Sequence, residues 1–276
     1  MLALNNHLNP YHESESAPPR TLVERAYLGL RRDVVCGKLS PGERLRVEHL
    51  KDQYQVGAGT LREALSLLVS DALVTVEGQR GFRVAPIALE DLEDLTRLRL
   101  HIEIEALRQS IRHGDARWRE KLQRAYDEIS AVEQPIQPEG RQRWELLNMR
   151  FHESLIEGYG SRWTLNLLRL LARHGERYRC YTMALPDSAR DVHAEHREIF
   201  EMAMTGQEAR AALALEAHIR NTLDILRRAQ RQGIDVFRRG DAALASSTAA
   251  VGKVPRVPGR EQGVDACLSG NHAPVD

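Results

Sequence analysis

The chain is short of the residues that most often announce a covalent or electrostatic framework. Only three of its 276 residues are cysteine, Cys36, Cys180 and Cys267. They lie far apart and form no C-x-x-C pair, which excludes a disulfide scaffold and suits a reducing compartment. Aromatic residues make up 5%, too few for a strand-rich protein, and the Leu, Ala, Arg and Glu that dominate favour helices. A net charge is missing as well: 39 Lys and Arg balance 39 Asp and Glu, so no global basic field advertises a nucleic-acid partner. No apolar run could span a bilayer, and "MLALNNHLNPYHESESAPPR" at the start lacks the apolar centre of a signal peptide. The expectation is a soluble, cytoplasmic chain with no membrane contact. Its 42% hydrophobic content is enough for one large or two modest cores.

The neutral total hides a mild segregation. Residues 20–86 carry eleven Lys/Arg against eight Asp/Glu, and residues 87–232 carry twenty-three against twenty-four. The basic third also has its own pattern. Residues 1–19 read as a polar, flexible arm. A helix fits 21–36, with Val23, Ala26, Tyr27, Leu30 and Val34 on one face; Gly37 stops it and "SPGERL" turns. A short helix around 48–54 follows, then "VGAGTLREALSLLV". There, Thr60-Leu61-Arg62-Glu63 reads as a capping box, with Leu61, Ala64, Leu65, Leu68 and Ala72 as the buried stripe and Arg62 and Ser66 on the open face. "LVTVEGQRGFRV" alternates on two arms about "GQRG" and predicts a β-hairpin.

From Leu89 the pattern is helical: 89–111, 116–133, 141–159, 162–183, 187–205 and 208–231, each bounded by Gly, Pro or Ser. From Gly233 the composition turns to Gly, Ala, Ser and Pro without periodicity, which predicts a disordered tail over 233–276. The fold class is therefore mainly α. A winged helix-turn-helix with a small β-hairpin wing spans 20–87, and an all-α antiparallel bundle spans 88–232.

A helix entrance of bare backbone can press its N–H groups against phosphates, and one Arg in its first turn can fork onto a guanine edge. Helix, short helix, capped helix and hairpin is the order of a winged helix-turn-helix, whose wing glycine, Gly81, allows close approach to a groove. The recurring pieces "G.L.PG.RL", "LREAL..L" and "L....G.RG..V" resemble the GntR family of bacterial regulators, and over 21–231 the chain resembles its FadR-like members with an FCD effector domain. The resemblance implies DNA contacts from Thr60, Arg62 and Gly81, with Arg46 and Arg80 completing the basic set. It also carries a departure: where most of the family has Ser-Arg-Thr-Pro, this chain has Gly57-Ala58-Gly59-Thr60. The usual base-reading Arg is Ala58, so the operator should differ from the common site. Similar glycine-rich entrances occur in the branch around the carbon-starvation-induced regulator, which answers to C5 dicarboxylate or 4-aminobutyrate catabolism.

In the second half, "NMRFH" sets Asn148 and His152 one helical turn apart. His196 lies in "HAEHREIF" and His218 in "LEAHIRNTL". Many FCD domains carry D-x-x-x-H and two later histidines that bind a divalent metal. The resemblance assigns Asn148, His152, His196 and His218 to such a site, with Asn where Asp is usual. Imidazole ligands suit zinc or nickel; the neutral Asn predicts weaker binding, or a site that an effector carboxylate completes. His193 is a spare, solvent-facing histidine in this reading. Arg99, in "RLHIE", matches the family's R-x-x-L/I-E and is the candidate clamp for a carboxylate, with Glu103 one turn on. A surface ion pair of small value is the plainer alternative for that couple.

The expected function is a homodimeric regulator, a repressor of a catabolic operon, binding a pseudo-palindromic operator in double-stranded DNA. A small organic acid such as glutarate or 2-hydroxyglutarate, bound near the metal, would release it. A metal-independent regulator or an activator with a different ligand stays open, as does an architectural DNA-binding protein. A metal-dependent hydrolase is disfavoured, because H-x-E-H matches neither H-E-x-x-H nor H-x-x-E-H; the chain is not expected to be an enzyme.

Overall fold

The computed structural model describes residues 19–78, 81–183, 185 and 190–237. Helix α1 spans Leu22–Val35, entered through Thr21, whose hydroxyl accepts from the Glu24 N–H. Tyr27, Leu30 and Val34 on its inner face are fully buried. Strand β1, Arg44–Leu45, precedes α2, Val47–Tyr54, and α3, Ala58–Ser70. Two further strands, β2 at Val74–Val76 and β3 at Phe82–Val84, complete an antiparallel sheet ordered β1-β3-β2. Val74 faces Val84 and Val76 faces Phe82 in the hairpin, while Arg44 faces Arg83. Strand β1 escapes a periodicity argument because two residues cannot show a period.

Two details of α3 differ from the sequence expectation. The capping box does not form: Gly57 is the N-cap, no side chain caps the helix, and Thr60 already lies inside its first turn. Ala58 and Gly59 are already helical, and the Leu61 N–H bonds the carbonyl of the extended Gly57 at 3.0 Å. Leu61, Ala64, Leu65 and Leu68 are buried as expected. Ala72 is not: the helix ends at Ser70, and Ala72 is exposed with φ +53. Leu73 takes the inward position instead.

The bundle consists of α4 at Leu89–His113, α5 at Ala116–Ser130, α6 at Arg141–Glu157, α7 at Arg162–Thr182, α8 at Val192–Met204 and α9 at Glu208–Arg231. Its core is aliphatic with few rings: Leu107, Leu122, Phe151, Leu155, Ile199 and Leu215 are all fully buried. Burial of each such side chain stabilises by roughly 1.5–3 kcal/mol. Asp191 caps α8 through the Ala194 N–H, so that helix starts later than its sequence pattern suggests. The chain also stays packed beyond α9. Val236 is buried and Phe237 lies edge-on to Tyr178 and Tyr181, so the first residues of the expected disordered tail belong to the bundle; the rest of that tail and the N-terminal arm fall outside the described residues.

The winged head meets the bundle along α7. Arg31 pairs with Glu176, Arg173 approaches Asp71 at 3.7 Å, and Arg177 donates to the carbonyl oxygens of Ala85 and Pro86. Asp71 also accepts the Tyr27 hydroxyl at 2.7 Å. Cys180 is buried within the head's own apolar cluster, with its sulfur 3.7 Å from that of Cys36.

Candidate nucleic-acid interface and metal centre

On the head, α3 shows its polar face to solvent. Arg62 and Ser66 are exposed, and the Ser66 hydroxyl donates to the Arg62 carbonyl at 2.9 Å. Thr60 is half-buried one turn earlier, and Arg46 is exposed at the N-cap of α2. Nothing lies within 4 Å of where a Cβ would sit on Gly57 or Gly59, and Gly57 has an ordinary φ of −70°. Gly59 is not required by the fold, and Gly costs about 0.8–1.0 kcal/mol against Ala inside a helix, whereas Gly57 sits at the N-cap, where Gly is favoured over Ala. Gly81 differs: its φ of +96° is one that side chains disfavour, and it accepts the Glu77 N–H at 2.9 Å to close the wing. Arg83 braces the wing by pairing with Glu77. Arg80, in the sequence-based set, lies outside the described residues.

In the bundle the three histidines meet. His152 comes from α6, His196 from α8 and His218 from α9, and all three are buried. One nitrogen from each lies within 4.8 Å of the others, and the Nε2 atoms of His152 and His218 are 3.1 Å apart. Each ring's Nδ1 faces a carboxylate: His196 meets Glu133 Oε1 at 2.7 Å, His218 meets Glu195 Oε2 at 2.8 Å, and His152 lies 3.5 Å from Glu103 Oε2. The close carboxylates behind His196 and His218 fix their tautomers and point the other nitrogen inward, as around metal-bound imidazoles, while His152 Nδ1 has Glu103 near it without a hydrogen bond. His196 Nε2 is buried with no hydrogen-bond partner, a cost of about 1–3 kcal/mol that a cation between the rings would remove.

At two of the three rings, His152 and His218, burial favours the neutral imidazole. Burial lowers the His152 pKa to about 4 although Glu103 opposes it. His218 is pushed well down by burial and then by the neighbouring His196 and Arg190. Metal ligation requires the deprotonated nitrogen. Burial works to raise the Glu103 carboxyl, yet Arg99 and His152 bring it down to about 2. Asn148 is buried one turn before His152.

Arg99 is no surface residue. It is buried, its Nε donates to Glu103 Oε1 at 2.6 Å, and Glu103 is almost wholly enclosed. Its guanidinium lies against Gly175 of α7, where an added Cβ would stand 3.5 Å from Arg99 Nη1 and 3.0 Å from Arg179 Nη1. His193 also turns inward, with Nδ1 buried 3.5 Å from Glu133 Oε2 rather than facing solvent. Sequence reasoning missed Glu133 and Glu195, which stand behind two rings, and Arg190, which donates to the His218 carbonyl at 2.9 Å and pairs with Glu195 at 2.6 Å. Glu195 was findable one residue before His196; Glu133, in the loop before α6, had no spacing to betray it.

Comparison with known proteins gives this geometry its context. The pattern of bacterial regulatory proteins of the gntR family matches residues 22–84, and that of the FCD domain matches residues 94–221. The chain is 39% identical over 211 residues to the uncharacterized HTH-type transcriptional regulator BphR of Paraburkholderia xenovorans (strain LB400), covering 75% of this chain and 86% of that one. It is 29% identical over 208 residues to the HTH-type transcriptional repressor GlaR of Escherichia coli (strain K12), covering 74% and 94%. Among solved structures, E. coli McbR/YncC shares the fold with a TM-score of 0.59 at 18% identity, over 76% of this chain and 99% of that one. A GntR chain from Rhodococcus sp. RHA1 also reaches 0.59, at 21% identity, over 74% and 97%. These are regulators rather than enzymes, and no described helix is long and apolar enough to cross a membrane. The chain belongs to the GntR family of DNA-binding transcriptional regulators, with an FCD domain behind its winged helix-turn-helix.

Proposed function

We propose that this regulator is a homodimeric repressor released from a pseudo-palindromic operator by a small organic acid, and that its FCD domain holds a divalent transition metal. The observation that carries the metal reading is the set of three inward nitrogens backed by three carboxylates. His152, His196 and His218 would hold the ion, with the Asn148 side-chain oxygen as a neutral fourth ligand; three imidazoles without a thiolate suit zinc or nickel. An ion there supplies a Lewis-acidic centre that attracts a carboxylate oxygen. Arg99, buried beside Glu103, offers the rest of its guanidinium fork to that carboxylate. On the head, Thr60, Arg62, Arg46, Gly81 and Arg80 form the DNA-contacting set, and the open space at Gly57 and Gly59 supports a close approach of the phosphate backbone.

The repressor named among the relatives, GlaR, supports the sign of regulation, and a twofold dimer matches a palindromic site. The test measures bound metal in the purified protein, then operator affinity with glutarate or 2-hydroxyglutarate, before and after chelation. Release by an acid that chelation abolishes supports the full reading. Release that survives chelation leaves Arg99 as the clamp and removes the metal from the mechanism, and no response to any acid overturns the effector assignment.

A further inference from the structure

A cavity lies between the start of α6, the end of α7, the start of α8 and the later part of α9, on the outer side of His218. It encloses about 280 Å³, near the lower end for small-molecule sites. Ile136, Trp144, Met183, Val192 and Ile225 give it apolar walls, Thr182 adds a hydroxyl, and three guanidiniums, Arg141, Arg179 and Arg190, reach its lining; among the described residues no carboxylate does.

The three cations are not equivalent. Arg179 is bound to Glu145 by two nitrogens, with Nη2 at 2.6 Å from Oε2. Arg190 is bound to Glu195, Thr222 and the His218 carbonyl. Arg141 has no acidic partner of this kind among the described residues. Its Nη1 lies 3.9 Å from the Cys180 sulfur, and its Nε is buried without a hydrogen bond. Among the described residues two carboxylates thus answer three guanidiniums, and the third positive charge stands at the rim beside the apolar walls. A buried or half-buried charge is costly unless paired, and a guanidinium fork fits one carboxylate.

We propose that this cavity binds a monocarboxylic acid with a compact apolar body, its carboxylate on Arg141 and its body between Trp144, Met183 and Ile225. The site borders the outer side of the three-histidine cluster, since Arg190 also bonds the His218 carbonyl and Trp144 the Glu133 behind His196, but its free cation, Arg141, needs no metal there. Arg141 also touches Cys180, the α7 residue against Cys36 of the head, so occupancy is felt at the seam between the two halves.

The experiment is calorimetric titration of the full-length protein with benzoate, with benzamide as the uncharged counterpart and glutarate as the dicarboxylate. Benzoate should bind and benzamide should not. Arg141→Gln should weaken benzoate at least tenfold, Arg141→Lys should restore part of the loss, and chelation should leave the affinity unchanged. Ile225→Phe, which fills the chamber without touching a charge, should also weaken binding; melting curves establish that each variant is folded. Benzoate binding that chelation abolishes and Arg141→Gln leaves intact would assign the acid to the histidine cluster and overturn the proposal. No benzoate binding at millimolar concentration, or equal binding of benzamide, would overturn it as well. The metal-centred reading has its own test, the loss of the glutarate response on chelation, so the two can fail separately.

Discussion

Glu133 links two buried rings from different helices: the same Oε1 accepts the Trp144 indole N–H at 2.9 Å and meets His196 Nδ1 at 2.7 Å. The orientation of His196 is therefore set by a loop residue outside α8, and ring geometry and bundle packing are tied to one carboxylate.

Glu133→Gln should keep the volume and the indole bond while removing the charge behind His196. Metal affinity, read by competition with a chromogenic chelator, should fall about 10- to 100-fold, with operator binding in the absence of acid unchanged. An unaltered affinity would mean that His196 is oriented by packing alone.

Gly59→Ala separates fold from function. The added methyl meets nothing within 4 Å, so the melting temperature should rise, corresponding to about 0.4–1 kcal/mol, while operator affinity falls because the helix entrance can no longer press on the phosphates. A variant both more stable and fully DNA-binding would show that the glycine is not there for the backbone of DNA.

Arg62→Ala should leave the melting curve within about 0.5 kcal/mol, as expected at an exposed position. Discrimination against single-base variants of the operator should drop by about 1–3 kcal/mol at one position per half-site. A uniform loss across all sequences would reassign Arg62 to a phosphate.

Cys36 and Cys180 should be joined by mild oxidation with a thiol-directed reagent such as diamide, since their sulfurs stand 3.7 Å apart and a disulfide needs about 2.05 Å. Mass spectrometry of a non-reduced digest should find the linked peptides, and Cys36→Ser should abolish them. Their absence in the unaltered protein would contradict the head-to-bundle contact along α7.

Much of this was legible in the sequence because period and punctuation were strong. Thr21 and Gly37 bracket α1, the alternation of Val74, Val76, Phe82 and Val84 marks the wing, and the three histidines stand at spacings the FCD domain shares. What stayed hidden was whatever depends on a partner distant in sequence. Thr60 and Glu63 have the spelling of a capping box, yet α3 begins earlier, with Ala58 and Gly59 already helical and Gly57 as the extended N-cap. Arg99 and Glu103 read equally well as a surface pair; only the packing of α6 and α7 over α4 buries them. Glu133 and Arg190 fall where the sequence pattern continues a helix, over 116–133 and 187–205, but α5 ends at Ser130 and α8 starts at Val192, so helical periodicity gave neither side chain its true direction.

Helix α7 has two working sides. Arg173, Glu176, Arg177 and Cys180, at the three- and four-residue steps of one face, hold the head, while Gly175 and Arg179 turn to Arg99 and Glu145 inside the bundle. Such a rod acts as an axle. With a radius of about 5–6 Å including side chains, a roll of roughly ten degrees shifts its outer atoms by about 1 Å, enough to part a hydrogen bond on the far side. Any displacement of Arg99 or Arg179 would thus be passed by α7 to the side that holds the head, with its wing and α3.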